Sequence, residues 1–114
     1  EDSVIMKKIL LALLLISSYS YADRYDNCNA QVYRDGKPVD KEFQVDVLDY
    51  KNRFELRQGS TFIGASPVLE STNRYNGNMK RITNEAEWRI DDNGTKTYSI
   101  EYYATKSTLK VTCK

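Results

Sequence analysis

The sequence predicts an all-β fold. We expect a small antiparallel barrel or sandwich of about seven or eight short strands, closed by one disulfide and preceded by a cleaved N-terminal signal peptide. Three observations predict it. Short runs across residues 28–113 alternate apolar and polar side chains, the pattern of a strand with one buried face. Gly, Asn and Asp clusters interrupt those runs about every ten residues, the spacing of antiparallel sandwiches and barrels. The only two cysteines, Cys28 and Cys113, stand near the two ends of that region.

The first segment reads as an address. Lys7 and Lys8 follow Met6, then comes the apolar run from Ile9 to Ile16, and Ser20-Tyr21-Ala22 fits a small-x-small cleavage site. The run is too short for a bilayer span, which needs about 20 residues. Residues 1–22 are therefore set aside, Glu1 to Ile5 included, and residues 23–114 are expected to form a single exported β domain. The paired lysines and short apolar run suggest a Gram-negative bacterial signal, hence a periplasmic or extracellular location. Tyr25-Asp26-Asn27 before Cys28 does not suit lipidation, so no stable membrane anchor is expected after cleavage.

The elements follow in order. Cys28, Ala30 and Val32 alternate with Asn29, Gln31 and Tyr33, and Asp35-Gly36 signals a hairpin. Phe43, Val45 and Val47 form the next apolar face, and Lys51-Asn52-Arg53 turns the chain. Phe54 and Leu56 lead to the turn at Gln58-Gly59-Ser60. Thr61 to Ala65 is β-prone, Pro67 interrupts it, and Val68-Leu69 is a candidate edge segment. Residues 71–78 (STNRYNGN) are turn-rich and read as a hairpin tip or a longer functional loop. Met79 to Thr83 begins another strand. Ala86, Trp88 and Ile90 alternate up to the turn at Asp91-Asp92-Asn93-Gly94. Tyr98, Ile100 and Tyr102 follow, then polar Thr105-Lys106-Ser107, and Leu109, Val111 and Cys113 close the chain.

Two cysteines in an exported chain predict one bridge between Cys28 and Cys113. A loop of that length stabilises by about 4.5 kcal/mol in the chain-entropy description. The bridge would set the first and last strands side by side, giving a meander whose ends meet.

Several chemistries are excluded or disfavoured. The chain has no histidine, so Ser-His-Asp and Cys-His catalysis are impossible and the commonest metal ligand is missing. A net charge of +1 with balanced signs gives no footprint for nucleic acid. No P-loop or dinucleotide fingerprint occurs. Asp91-Asp92-Asn93-Gly94 invites a calcium reading, but position 12 of that window is Tyr102, so a plain turn is expected. Neither a cofactor, a metal nor a catalytic residue is expected. The surviving enzyme class is a glycan hydrolase using two carboxylates, with Asp46, Asp49, Glu85, Glu87 and Glu101 available.

Tyrosines are the informative excess. Tyr98 and Tyr102 share a face with Ile100 and are expected in the core. Tyr33, Tyr75 and Tyr103 are better surface candidates, and Arg74, Tyr75 and Asn76 sit in the turn-rich segment where recognition loops occur. The expected function is a small, monomeric, non-catalytic binding module for a protein or an envelope glycan. An inhibitor of an envelope-directed enzyme such as a lysozyme suits its size and stability. A structural subunit of a surface or secretion apparatus is the rival.

Overall fold

A computed structural model describes residues 22–73 and 77–113. Most of the expected address, at residues 1–21, and the candidates Arg74, Tyr75 and Asn76 lie outside the described residues. The rest forms one antiparallel sheet of nine strands, without helix among the described residues. They are β1 (Asp23–Arg34), β2 (Lys37–Asp49), β3 (Phe54–Gln58), β4 (Thr61–Ala65), β5 (Glu70–Asn73), β6 (Asn78–Ile82), β7 (Ala86–Asp92), β8 (Lys96–Tyr102) and β9 (Ser107–Cys113). Their order across the sheet is β4-β3-β2-β1-β9-β8-β7-β6-β5.

Local chemistry sets the hairpins. Arg34 pairs with Lys37, leaving Asp35 and Gly36 as a two-residue loop. Both have positive φ, 52° and 76°, the type I′ geometry that matches strand twist and for which Asp-Gly is a preferred pair. The turns expected at residues 51–53 and 58–60 likewise fall between β2 and β3 and at the end of β3 before β4, whereas the turn expected at 91–94 starts only at Asn93, because Asp91 and Asp92 still pair with Thr97 and Lys96. β1 and β9 meet at the centre with Ala30 opposite Val111, and the Cys28–Cys113 disulfide ties them at a Cα–Cα distance of 4.7 Å.

The sheet must curl. Ala65 and Glu70 belong to its two opposite edges yet are five positions apart, which limits their separation to about 17 Å. Eight flat strand spacings would separate those edges by about 38 Å. The result is a curled half-barrel. Eight antiparallel steps also leave β4 and β5 running in the same direction, so they cannot zip together as an antiparallel pair. The crossover between them is pinned to the start of β3 instead: Ser66 N donates to Phe54 O at 2.9 Å, Phe54 N donates to Ser66 Oγ at 2.9 Å, and Leu69 N donates to Asn52 O at 2.6 Å.

Inside the curl lie Cys28, Ala30, Val45, Val47, Phe54, Leu56, Leu69, Ala86, Ile90, Tyr98, Ile100, Val111 and Cys113. Phe54 and Tyr98 pack with ring centroids 5.3 Å apart and planes inclined at 60°, a tilted arrangement favoured by the ring quadrupoles.

Some details differ from the sequence reading. The strands number nine, because Glu70–Asn73 forms a strand within a segment read as turn. Val68 and Leu69 belong to the crossover, where Leu69 is buried and Val68 exposed. Tyr102 keeps the inward parity of Ile100 but is 44% exposed, since it lies at the last pair of β8, beyond the core. The first and last strands meet as expected, yet among the described residues edges remain, at β4 and β5.

Candidate functional site

One end of the curled sheet is a rim of three turns. Asp35 N, in the β1–β2 turn, donates to Lys106 O of the β8–β9 turn at 3.5 Å. Tyr103 N donates to Glu85 O of the β6–β7 turn at 3.1 Å. Thr83 Oγ1 accepts from Glu85 N and Ala86 N at 3.2 Å each, which fixes that third turn. Exposed turns held by backbone hydrogen bonds present side chains with little further ordering cost, the quality recognition surfaces need.

The strand register places the chemistry below the rim. Tyr33 lies opposite Thr108, Thr108 opposite Glu101, Glu101 opposite Glu87, and Glu87 opposite Ile82. These five residues form one row on the outer face across β1, β9, β8, β7 and β6. Tyr103 stands at the end of β8 above the two glutamates. Tyr103 is exposed, yet the protein atoms around its hydroxyl displace some water and raise its pKa, and the charges of Glu87 and Glu101 raise it further. Tyr103, Glu101, Lys106 and Thr108 line a shallow hollow with Asp35 and Gly36.

Glu87 and Glu101 face one another across neighbouring strands, with Cβ atoms about 5 Å apart in such a pair. No ion pair reaches either among the described residues. Like charges directly opposed in a sheet weaken it by about 0.2–1 kcal/mol. Glu101→Gln is therefore expected to raise stability by a few tenths of a kcal/mol, about 0.5. Urea denaturation would show the gain, and a loss would mean that the carboxylate is held by contacts that stabilise it.

The expected recognition residues thus fall into two groups. Tyr33 and Tyr103 belong to the same end and outer face, whereas Arg74, Tyr75 and Asn76 lie outside the described residues. Sequence reading missed the pairing of Glu87 with Glu101. Its signal was parity, since both precede an inward residue of an alternating strand. The two carboxyls stand side by side on one outer surface, where they line a shallow hollow with Arg89 and Lys110.

A second polar cluster is buried. Asp49, 1% exposed, ends β2 on the inward face. It accepts a hydrogen bond from the Tyr98 hydroxyl at 2.6 Å, from Lys96 Nζ at 3.0 Å and from Lys51 N at 2.7 Å. Lys96 Nζ also lies 5.6 Å from the centre of the Tyr25 ring. Burial raises the Tyr98 pKa far above its ordinary value, and the hydrogen bond to Asp49 adds to it. Burial pulls Lys96 down, but its hydrogen bond and attraction to Asp49 outweigh that, so the net shift is upward. Every buried side-chain polar atom among the described residues has a partner, so this cluster reads as an internal clasp joining β2 to β8.

Among the described residues no three His, Cys, Asp or Glu side chains converge as a metal site. Comparison with known proteins finds no matching family model, curated protein or solved structure.

Proposed function

We propose that the protein is an exported, non-catalytic binding module that holds a protein partner at the tyrosine-bearing rim. The observation that supports this best is the pinned rim itself. It carries exposed Tyr102 and Tyr103, half-buried Tyr33, and beside them a Glu87–Glu101 pair that no ion pair reaches among the described residues. Tyrosine supplies contact area at low entropic cost. A lysine or arginine from a partner would neutralise the opposed carboxylates, so a basic protein surface is the complementary one. An envelope-directed enzyme such as a lysozyme is the kind of partner that an exported inhibitor of this size would meet.

The test immobilises the oxidised protein and exposes it to envelope and extracellular extracts, and separately to purified lysozyme. Captured proteins are identified by mass spectrometry. A partner retained by the native protein and weakened at least about tenfold by Tyr103→Ala with Glu101→Gln supports the reading, since a hot-spot truncation costs more than 1 kcal/mol. A partner held equally by that variant overturns the site. No captured protein overturns the function. The rival, an assembly subunit, draws on β4, a sheet edge among the described residues, and predicts oligomers that survive rim substitutions.

A further inference from the structure

The turn between β7 and β8 carries a reactive pair that the binding rim does not use. Asp92 pairs with Lys96, which leaves Asn93, Gly94 and Thr95 as an exposed loop. β7 starts beside the rim turn at residues 83–85 and runs away from it, so this loop stands at the opposite end of the strands from Tyr103. Among the described residues, Asn93 is the one asparagine followed by glycine.

An asparagine side chain is an amide electrophile, and the backbone nitrogen of the next residue is its nearest nucleophile. Ring closure between them needs a nitrogen free of hydrogen bonds, a side chain free to turn, and room around the following residue. Gly94 has no side chain to obstruct the approach and the widest backbone freedom. A Cβ built on it would meet nothing within 4 Å, so the space about the turn is open. Among the described residues, no hydrogen bond reaches Gly94 N or the Asn93 side chain. The residue before them is fixed, since Asp92 N donates to Asn78 Oδ1 at 2.8 Å. Asn84 gives the contrast. It is also exposed and in a turn, but the nitrogen that follows it, Glu85 N, donates to Thr83 Oγ1 at 3.2 Å.

We propose that Asn93 is a site of spontaneous modification, converting to aspartate and isoaspartate without an enzyme. Gly94 N attacks Asn93 Cγ, the bond from Cγ to the side-chain nitrogen breaks, and ammonia leaves. The proton of Gly94 N–H passes through solvent to the departing nitrogen. The product is a five-membered cyclic imide, which water opens. Water that breaks the new Cγ–N bond gives aspartate. Water that breaks the original peptide bond gives isoaspartate, whose main chain runs through the former side chain. One water enters and one ammonia leaves overall, with no change of oxidation state. An exposed carboxylate titrates at about 3.9, so the product is charged at neutral pH. It stands directly after Asp91 and Asp92 and lowers the charge of the protein by one unit, while the rim stays as it was.

The oxidised protein is held folded in mildly alkaline buffer at body temperature, and samples are denatured, reduced and digested with trypsin at intervals. Cleavage after Arg89 and Lys96 releases residues 90–96, where Asn93 is the only side-chain amide, and cleavage after Arg81 and Arg89 releases residues 82–89, which carry Asn84. The peptide 90–96 is expected to gain the mass difference between an amide and an acid at least about tenfold faster than 82–89. Its two products, aspartate and isoaspartate, separate by chromatography, and ion exchange of the intact protein isolates a more acidic species that carries the converted peptide. Asn93→Gln should leave the peptide unconverted, because the longer side chain must close a six-membered ring. An unchanged 90–96 peptide overturns the proposal. Conversion seen only after unfolding in urea also overturns it, because the folded turn would then block ring closure. Equal conversion of Asn84 removes the selectivity, and aspartate without isoaspartate means direct hydrolysis; either result overturns the site as described.

Discussion

Replacing Cys28 and Cys113 together by alanine is expected to lower stability by about 3–4 kcal/mol, and the thermal midpoint by about 15–25 °C. The two residues are 85 positions apart, so the bond removes much of the freedom of the unfolded chain. The folded state should change little. β1 and β9 are paired by backbone from Asn29–Thr112 to Arg34–Ser107 whether or not the sulfurs are joined. Alanine fills most of the small buried volume without adding a polar atom to it. Because the open chain unfolds to a more expanded ensemble, the urea m-value should rise as the midpoint falls. Calorimetry and urea titration of the variant provide both readings. A midpoint within a few degrees of the native protein would show that the bond adds no useful restraint.

Asp49→Ala is expected to be comparably severe, at about 3–5 kcal/mol. The carboxylate takes three hydrogen bonds, and its loss leaves the Tyr98 hydroxyl without its acceptor in a buried place. Asp49→Asn keeps the volume and an acceptor oxygen, so it should cost less. The alkaline limb of the stability profile gives a sharper reading. Tyr98 and Lys96 both hold their protons more tightly when folded than their ordinary values of 10.0 and 10.5. Their contribution is complete below those values. As pH rises past about 10 the unfolded chain releases protons that the folded one keeps, so stability falls. Urea denaturation from about pH 8 to about pH 11 should show that decline in the native protein and a shallower one in Asp49→Ala. Equal slopes would show that burial of Tyr98, and not its hydrogen bond to Asp49, carries the alkaline loss.

Much of the fold could be read from the sequence because a strand with one wet face reports itself by parity. Cys28 and Ala30, Val45 and Val47, Phe54 and Leu56, and Tyr98 and Ile100 are all inward and buried. Asp35-Gly36 named its turn because few residue pairs tolerate two successive positive φ values. The same parity places Asp49 two residues beyond Val47 on the buried face. Its role in a buried cluster was not legible, because its partners, Lys96 and Tyr98, arrive from another part of the chain. β5 was illegible for a related reason. Glu70–Asn73 has no apolar alternation, and it is strand because β6 supplies its hydrogen bonds. Tyr33 and Tyr103 could be chosen by type and parity. Their convergence at one end, and the opposition of Glu87 to Glu101, depend on cross-strand register, which no single segment specifies. The open edge at β4 follows from strand count and direction, quantities that need every strand to be known.

The central place of β1 and β9 has a kinetic consequence. Each remaining pairing joins neighbours in the chain, so β1 to β4 and β5 to β9 can each assemble as local hairpins within microseconds. The seam between the two halves joins the first strand to the last. It cannot zip until β9 is available, and until then the two half-sheets leave their apolar faces uncovered. Closing that loop carries the largest chain-entropy cost of any pairing in the sheet, so the seam is expected to form last. Substitutions at Ala30 or Val111 should therefore slow folding only as far as the seam is formed in the transition state, and otherwise speed unfolding.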